Sequence, residues 1–571
     1  MASPIMSLLE IATAGAKRRL IAQTKQASQV QEEFLRSLLH AHQHTVLGQD
    51  YGLSALLEET DPNQPGDLTH KFRQQIPVAP YNHYEPYIER VAAGEPNIMT
   101  PDPVVYMNIT SGSTGKQKLI PVTKRSRQAL QRAQQASMGF TFAAARQRHL
   151  PIGKILLTSA VNLAGKTSGG IDYGPVSVGD LRLSNFLYKQ VFVHPFDALR
   201  PKNSLARHYV CLLFALRDRN LRVIAANFPV LAVQLCQYLE RNSQSLIQDI
   251  QQGAIADWLD LEPELRAILE PQLSPSVQRA EELQKIFDQD GRLVPKTAWP
   301  QLSFLITALG GTSNFYLQRF PEYFGDISIF GGVYSSAEAT YGSYFDMDRE
   351  GTILALNSGF FEFIPESEWD NPNPKTFLSH EIRPKERYRI LVTNYSGFYR
   401  YDIGDVIEVM EFYNEAPVIT FRHRRGGLLS STTEKTTEFH AIQVMELLQE
   451  EFKVSFENFC ITLSGDRIPP RYLVNVELAE GYSIHNPQHF LLRFDQQLQD
   501  IHRSYALKRA SQVPTPRLRI LESGSFSVVR QALIAKGVPE SQLKFRHISG
   551  DRTYLQGVTI QEEICFPNEG E

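Results

Sequence analysis

The residues best suited to chemistry stand in TSGSTGKQKLIP, residues 110–121. Thr110, Ser111, Ser113 and Thr114 offer hydroxyl donors, Gly112 and Gly115 let backbone amides turn inward, and Lys116 and Lys118 add positive charge. A nest of this kind suits phosphate oxygens. It is not a Walker A loop, which places Gly-Lys-Ser/Thr five residues after its first glycine, whereas Gln117 stands at that distance from Gly112. A polar turn between two strands would use the same residue types, so the loop alone leaves both readings open.

Two later stretches carry further candidates. VYSSAEATYG, residues 333–342, sets Tyr334, Ser335, Ser336 and Glu338 close together after a strand-like run. GFYRYDIGDVIEV, residues 397–409, offers Arg400, Asp402 and Asp405 around a glycine turn. Taken singly, Tyr334 could be a core or rim tyrosine, Glu338 a solvated acid, and the two aspartates a capped turn.

The elements that must position these residues follow from periodicity. VVYMNI, residues 104–109, reads as a buried strand, so the hydroxyl-rich loop leaves the end of a sheet, where α/β folds bind ligands. A helix is expected around residues 124–148, then strands at KILLTSA, LRVIAANF, SFLITALGG and DISIFGGVY, separated by helical stretches such as HYVCLLFALRD and FPVLAVQLCQYLERN. From Gly351 to Phe421 strands follow one another directly, an antiparallel pattern. FRHRRGG, residues 421–427, is a candidate hinge. Beyond it, Ile442, Met445, Leu448 and Phe452 have helical spacing, and Val474, Val476 and Leu478 alternate with Asn475 and Glu477 as in a half-exposed strand. The expected fold is α/β: a large layered N-terminal domain over 1–424 containing the β-rich section 351–421, and a small α/β C-terminal domain over 425–571.

Bulk properties bound the partners. At 571 residues the chain exceeds one ordinary core, and its 42% hydrophobic and 21% charged composition is that of a globular protein. A net charge of −4 argues against wholesale neutralisation of nucleic-acid phosphates. Cys211, Cys236, Cys460 and Cys565 show no CxxC spacing, against a zinc site or disulfide framework and in favour of a reducing cytoplasm. The N-terminus has its basic residues after the apolar stretch, the reverse of a secretory signal, and the window from Val223 is broken by Asn227, Pro229, Gln234 and Gln237. The expectation is a cytoplasmic monomer that binds neither nucleic acid nor membrane.

The three motifs in this order, followed by a small domain bearing lysines, resemble the adenylate-forming enzymes. The chain is more closely similar to the auxin-responsive acyl-acid amido synthetases, the Gretchen Hagen three family. The likeness runs through HTVLGQDYG at 44–52, FRQQIPVAPYNHYEPYIERVAAGE at 72–95, the loop, YSSAE at 334–338, YRYDIGD at 399–405, EAPVITFRHR at 415–424 and GSFSVVRQALIAKGVPESQLKFRH at 524–547. It implies an adenylate-forming fold and ATP with Mg²⁺ as cofactors. The implied partners are a small carboxylic acid and an amino acid, joined through an acyl-adenylate. On that likeness the loop from Thr110 to Gly115 with Lys118 cradles phosphates, Tyr334 lies against adenine with Ser335 and Ser336 beside it, Glu338 holds Mg²⁺, and Asp405 takes the ribose hydroxyls. A mobile C-terminal domain brings Lys435 or Lys544 to the reacting phosphate. The family's hydroxyl residue before the glutamate is missing, since Ala337 stands there.

For the acid, Met138 and Phe142 on the helix after the loop, with the turn GKTSGGIDYG at 165–174, could form walls, or equally pack in the core. Rival readings are a ligase that passes the acyl group to coenzyme A and a nucleotide-binding relative without turnover. An ATP-independent acyltransferase using His547 and Asp551 of RHISGD is a third.

Overall fold

The computed structural model describes residues 4–61, 64–110, 118–176, 191–311, 313–424, 427–432, 434–510, 512–540 and 543–566. Internal contacts divide the chain into two units, Met1–Ile403 with Ile407–Phe421, and Gly404–Val406 with Arg422–Glu571.

In the first unit, helix α1 (Pro4–Gln23) and, later, α2 (Tyr81–Ala92) precede β1 (Val104–Ile109), the apolar run of the sequence. Its partner β2 (Leu119–Thr123) is antiparallel, with Asn108 opposite Ile120 and Tyr106 opposite Val122. β2 passes directly into α3 (Lys124–Gln147). Thr123 caps that helix: its hydroxyl accepts the Ser126 N–H at 3.1 Å while the Ser126 hydroxyl accepts the Thr123 N–H at 2.9 Å. The alanine face of α3, with Ala129, Ala133, Ala136, Ala144 and Ala145, is buried. Small residues let α1 come close, since a Cβ on Gly139 would stand 2.5 Å from the Thr13 carbonyl oxygen.

β3 (Ile155–Leu157) leaves for a second sheet, while β4 (Gly165–Lys166) and β5 (Asp172–Gly174) return to the first, β5 lying parallel to β1 with Gly174 beside Asn108. Helices α4 (Ser204–Arg217) and α5 (Pro229–Arg241) pack with β6 (Val223–Ala225), β7 (Phe304–Ile306) and β8 (Ser328–Phe330). These strands form the parallel order β3-β6-β7-β8. The alternation of strands and helices therefore folds as expected, with Leu156, Ile224 and Leu305 buried against helix residues such as Leu212 and Val233.

The β-rich section continues with β9 (Val333–Ser335), β10 (Thr340–Ser343), β11 (Thr352–Leu354), β12 (Phe360–Pro365), β13 (Arg387–Thr393), β14 (Tyr401–Tyr413) and β15 (Ala416–Arg424). They form one sheet in the order β12-β13-β14-β15-β11-β10-β9, antiparallel at β9/β10, β10/β11, β11/β15 and β12/β13. Between β13 and β14 the chain turns through Gly397, at φ 88°, and Arg400, at φ 46°. Arg400 is buried and donates to the equally buried Glu362 at 3.0 Å, to the carbonyls of Arg73 and Ile76 at 2.8 and 2.6 Å, and to the Thr376 hydroxyl at 3.1 Å.

The second unit holds β16 (Leu428–Leu429), β17 (Thr436–Thr437), α6 (Glu438–Phe452), β18 (Phe456–Leu463), β19 (Tyr472–Leu478), α7 (Pro487–Ile501), β20 (Arg517–Leu521), α8 (Ser525–Ala535), β21 (Ile548–Ser549) and β22 (Ile560–Ile564). Five of the strands form a sheet in the order β21-β18-β19-β20-β22. β19 corrects the expectation of a half-exposed strand, because it runs through the middle of the sheet and both Asn475 and Glu477 are buried. The Glu477 carboxylate accepts the N–H groups of Gly524 and Phe526 at 2.6 and 2.7 Å, closing the start of α8, and the Asn475 amide donates to the Cys460 carbonyl at 2.8 Å. Among the described residues no helix is long and apolar enough to cross a membrane.

Glu362→Ala would leave the Arg400 guanidinium buried without its counter-charge and should cost about 3–5 kcal/mol. Denaturant unfolding is the measurement, with the double substitution Glu362→Leu, Arg400→Met recovering part of the loss.

Candidate functional site

The first unit holds a cavity of about 430 Å³ lined by the β9–β10 turn, by β1 and β2, by the start of α3 and by the turn after β13. The turn is built from Ser336, Ala337, Glu338 and Ala339. The Ser336 N–H donates to the Ala339 carbonyl at 2.8 Å, and the Ser336 hydroxyl accepts the Glu338 N–H at 3.2 Å. Two amide side chains hold the turn from outside. Asn108 on β1 donates to the Ala337 carbonyl at 3.0 Å, and Asn394 donates to the Glu338 carbonyl at 2.9 Å. Asn394 is itself set by its turn, with its Oδ1 accepting the Ser396 N–H at 2.9 Å.

Glu338 is 6% exposed and lines the cavity, and its Oε1 accepts the Tyr401 hydroxyl at 3.3 Å. A carboxylate accepts about four hydrogen bonds or metal contacts, so Tyr401 leaves Glu338 capacity for a cation. Among the described residues no group of three or more His, Cys, Asp or Glu side chains stands together as a ligand set. The donor set fits Mg²⁺, which is held by one or two carboxylates with phosphate oxygens and water supplying the rest, and does not resemble an all-protein cage.

Tyr334 is half-buried, its ring 4.9 Å from Tyr341 and 6.0 Å from Phe421, and Ser335 is exposed. Of the hydroxyl-rich loop, Ser111, Gly112, Ser113, Thr114 and Gly115 lie outside the described residues. The flanking Thr110 and Lys118 are described, and the Thr110 N–H donates to the Lys118 carbonyl at 3.1 Å. The Lys118 ammonium sits 5.0 Å from the centre of the Tyr81 ring, whose hydroxyl both donates to the Leu119 carbonyl and accepts the Leu119 N–H. Burial first, and then the charges of Glu85, Glu338 and Glu89, push the Tyr81 phenol up to about 12.

Met138 and Phe142 are not part of the cavity wall. Met138 is exposed, Phe142 is buried, and both lie at least two helical turns beyond the part of α3 that does line it, where Lys124, Arg127 and Leu130 stand. From the turn at 165–174, Asp172 reaches the cavity. Sequence reasoning missed Asn108, Asn394, Tyr401, Lys124 and Arg127. The legible signal was Asn108, a lone amide inside an apolar strand, where burial demands a specific partner.

In the second unit Asp405 is buried and accepts the Arg424 guanidinium at 2.6 Å. Lys544 as a residue is exposed, yet burial around its ammonium and repulsion from Arg424 push its pKa down to about 8 against the attraction of Asp405 and Glu438. Glu438, the first residue of α6, accepts the His547 N–H at 2.7 Å and so fixes the segment that carries Lys544. Lys435 is exposed beside the fully buried Glu434, whose carboxylate accepts the Ser431 N–H, the Thr432 hydroxyl and the Tyr472 hydroxyl at 2.6, 2.8 and 2.9 Å. His547 is buried against Glu438 and Asp551 is exposed, an arrangement that gives the acyltransferase reading no open histidine.

Family models match three successive parts of the chain: the GH3 family N-terminal domain over residues 16–329, the central domain over 352–424 and the C-terminal domain over 439–553. The chain belongs to the GH3 family. Among its relatives, the jasmonoyl–L-amino acid synthetase JAR4 of Nicotiana attenuata is 26% identical over 550 residues, covering 91% of each chain. The indole-3-acetic acid-amido synthetase GH3.10 of Arabidopsis thaliana is 24% identical over 551 residues, covering 90% of this chain and 91% of its own. The solved GH3.15 acyl acid amido synthetase superposes with a TM-score of 0.83 at 20% identity, covering 97% of this chain and 98% of its own. A 2-hydroxyisobutyryl-CoA ligase holding an acyl-adenylate superposes with a TM-score of 0.52 at 12% identity over 94% of this chain and 90% of its own, a likeness of fold.

The Lys544 amine should titrate near about 8, read as the pH dependence of its trace acylation by acetic anhydride with mass-spectrometric mapping. Because the Glu438 carboxylate favours the ammonium form, Glu438→Gln should lower that midpoint, and a midpoint that stays or rises would detach Glu438 from Lys544.

Proposed function

We propose that this GH3 protein is an ATP-dependent ligase that activates a small carboxylic acid as its acyl-adenylate and transfers the acyl group to the amine of an amino acid. Family membership and the amido synthetase activities named for the relatives above support the reaction class. The observation that carries it in this chain is Glu338, a buried carboxylate presented to a cavity by a turn fixed through Asn108 and Asn394.

In the first step a carboxylate oxygen of the acid bonds to the α-phosphorus of ATP and the bond to the bridging oxygen breaks, releasing pyrophosphate. Two anions must meet, so catalysis rests on charge neutralisation and alignment. Lys118, held over Tyr81 at the end of the hydroxyl-rich loop, supplies positive charge beside the phosphates, and Ser111, Ser113 and Thr114 supply donors. Glu338 would hold Mg²⁺, which lends Lewis acidity to phosphate oxygens when bound. Tyr334, backed by Tyr341 and Phe421, offers a flat face to the adenine, with Ser335 and Ser336 on the same segment. Asp405 takes the ribose hydroxyls in place of its Arg424 bond, and Lys544 or Lys435 brings charge to the reacting phosphate. In the second step the amine nitrogen bonds to the activated carbonyl carbon, the bond to AMP breaks, and the nitrogen gives up a proton.

Incubation of the protein with ATP, Mg²⁺ and a panel of acids should release pyrophosphate, and addition of amino acids should yield amide and AMP. Glu338→Gln, isosteric and uncharged, should lower pyrophosphate exchange by about 100-fold or more while thermal unfolding stays close to the parent. Exchange at the parent rate in that variant, or thioester in place of amide when coenzyme A is offered, would overturn the assignment.

A further inference from the structure

Two side-chain amides hold the β9–β10 turn, and they differ in what they have left to give. Asn394 is used at both ends: its Nδ2 donates to the Glu338 carbonyl at 2.9 Å and its Oδ1 accepts the Ser396 N–H at 2.9 Å. Asn108 is used at one. Its Nδ2 donates to the Ala337 carbonyl at 3.0 Å, while its Oδ1 takes no hydrogen bond from any described residue. The two ends of this amide are not interchangeable. A carbonyl oxygen only accepts, so the nitrogen must face Ala337 and the oxygen is fixed at the other corner. The backbone is equally set, since β1 lies between β2 and β5 with Asn108 opposite Ile120 and beside Gly174. Asn108 is 9% exposed and lines the same cavity as Glu338.

The cost of a spare acceptor depends on what fills the cavity. Water can satisfy a carbonyl oxygen, but a ligand that displaces the water without offering an O–H or N–H group leaves that oxygen buried and unpaired. A site of this kind discriminates strongly against the analogue that lacks the donor. Resting on the ligase reading above, we propose that Asn108 is a specificity-determining residue, whose Oδ1 accepts a hydrogen bond from an O–H or N–H group that the acid carries in addition to its carboxylate. Val105, Val122, Leu130 and Leu163, also in the cavity wall, suit the carbon frame that bears such a group.

The test uses the full chain with Asn108→Ala, Asn108→Val and Asn108→Asp. ATP–pyrophosphate exchange compares acids in pairs of matched size: meta- and para-hydroxy against the fluoro forms of benzoate and phenylacetate, and the amino against the methyl forms. In the parent at least one donor acid exceeds its partner in kcat/KM by about tenfold or more. Asn108→Ala and Asn108→Val, which both lose the acceptor, bring that ratio to within about twofold of unity. Asn108→Asp keeps an acceptor oxygen and gives up the amide N–H on Ala337, so it holds the ratio within about threefold of the parent although exchange falls for every acid. A role confined to holding the turn lowers every acid alike with the ratio unmoved, and a donor belonging to ATP raises the KM for ATP with the ratio unmoved. Either result overturns the proposal, as does a parent that prefers no donor acid. If no acid supports exchange in the parent, the ligase reading falls by itself. The acceptor is then read by equilibrium binding of the same pairs, where tighter binding of a donor acid that Asn108→Val abolishes supports it, and equal or absent binding overturns it.

Discussion

The buried pair of Arg400 and Glu362 is the constraint on which the site depends. Both groups are almost fully removed from water, and Arg400 holds a left-handed backbone that a non-glycine residue adopts only when its surroundings impose it. The compensation is complete around the guanidinium: the carboxylate, two carbonyls and one hydroxyl take its donors, and the Thr376 hydroxyl bonds Glu362 in turn at 2.7 Å. Backbone bonds extend the clamp, with the Arg400 N–H donating to the Thr393 hydroxyl at 2.8 Å and the Asp402 N–H to the Ala79 carbonyl at 3.0 Å. Between these anchors lie Asn394 and Tyr401, the two residues of this stretch that bond Glu338. A pair of this kind is worth little as net stability compared with an apolar replacement. Its effect here is to fix where the chain turns, and through that turn the position of the cavity's carboxylate.

How much of this could be read in the sequence depended on whether the deciding force was local. The run VVYMNI, the capped helix after Thr123 and the alternation of short apolar strands with helices follow from period and capping, which neighbours in sequence determine. The family itself was also legible, because the order of the motifs resembles it and the family models match 16–329, 352–424 and 439–553. The failures were non-local. Asn475 and Glu477 look solvent-facing by alternation, yet a helix start delivers two N–H groups to Glu477 from about fifty residues away. Along α3, Met138 and Phe142 could wall a pocket or equally pack in the core; Met138 is exposed and Phe142 buried, and the part of the helix that lines the cavity is its start. Periodicity identifies a helix face, not which stretch of a long helix meets a cavity.

Ala337 shows how such a site tolerates change. The two amides that hold the turn bond the carbonyls of Ala337 and Glu338, not their side chains. Backbone acceptors are the same for every residue, so the turn keeps its shape whichever side chain stands at 337. On the resemblance to the family, what alanine removes is a hydroxyl beside the cavity, and the bonds that hold the turn do not involve it. The same separation holds where α3 starts: its cap comes from the hydroxyls of Thr123 and Ser126, and the side chains of Lys124 and Arg127 that line the cavity take no part in it. Scaffolding carried by backbone and capping groups leaves the other side chains that line the cavity open to substitution without loss of the turn or of the helix start.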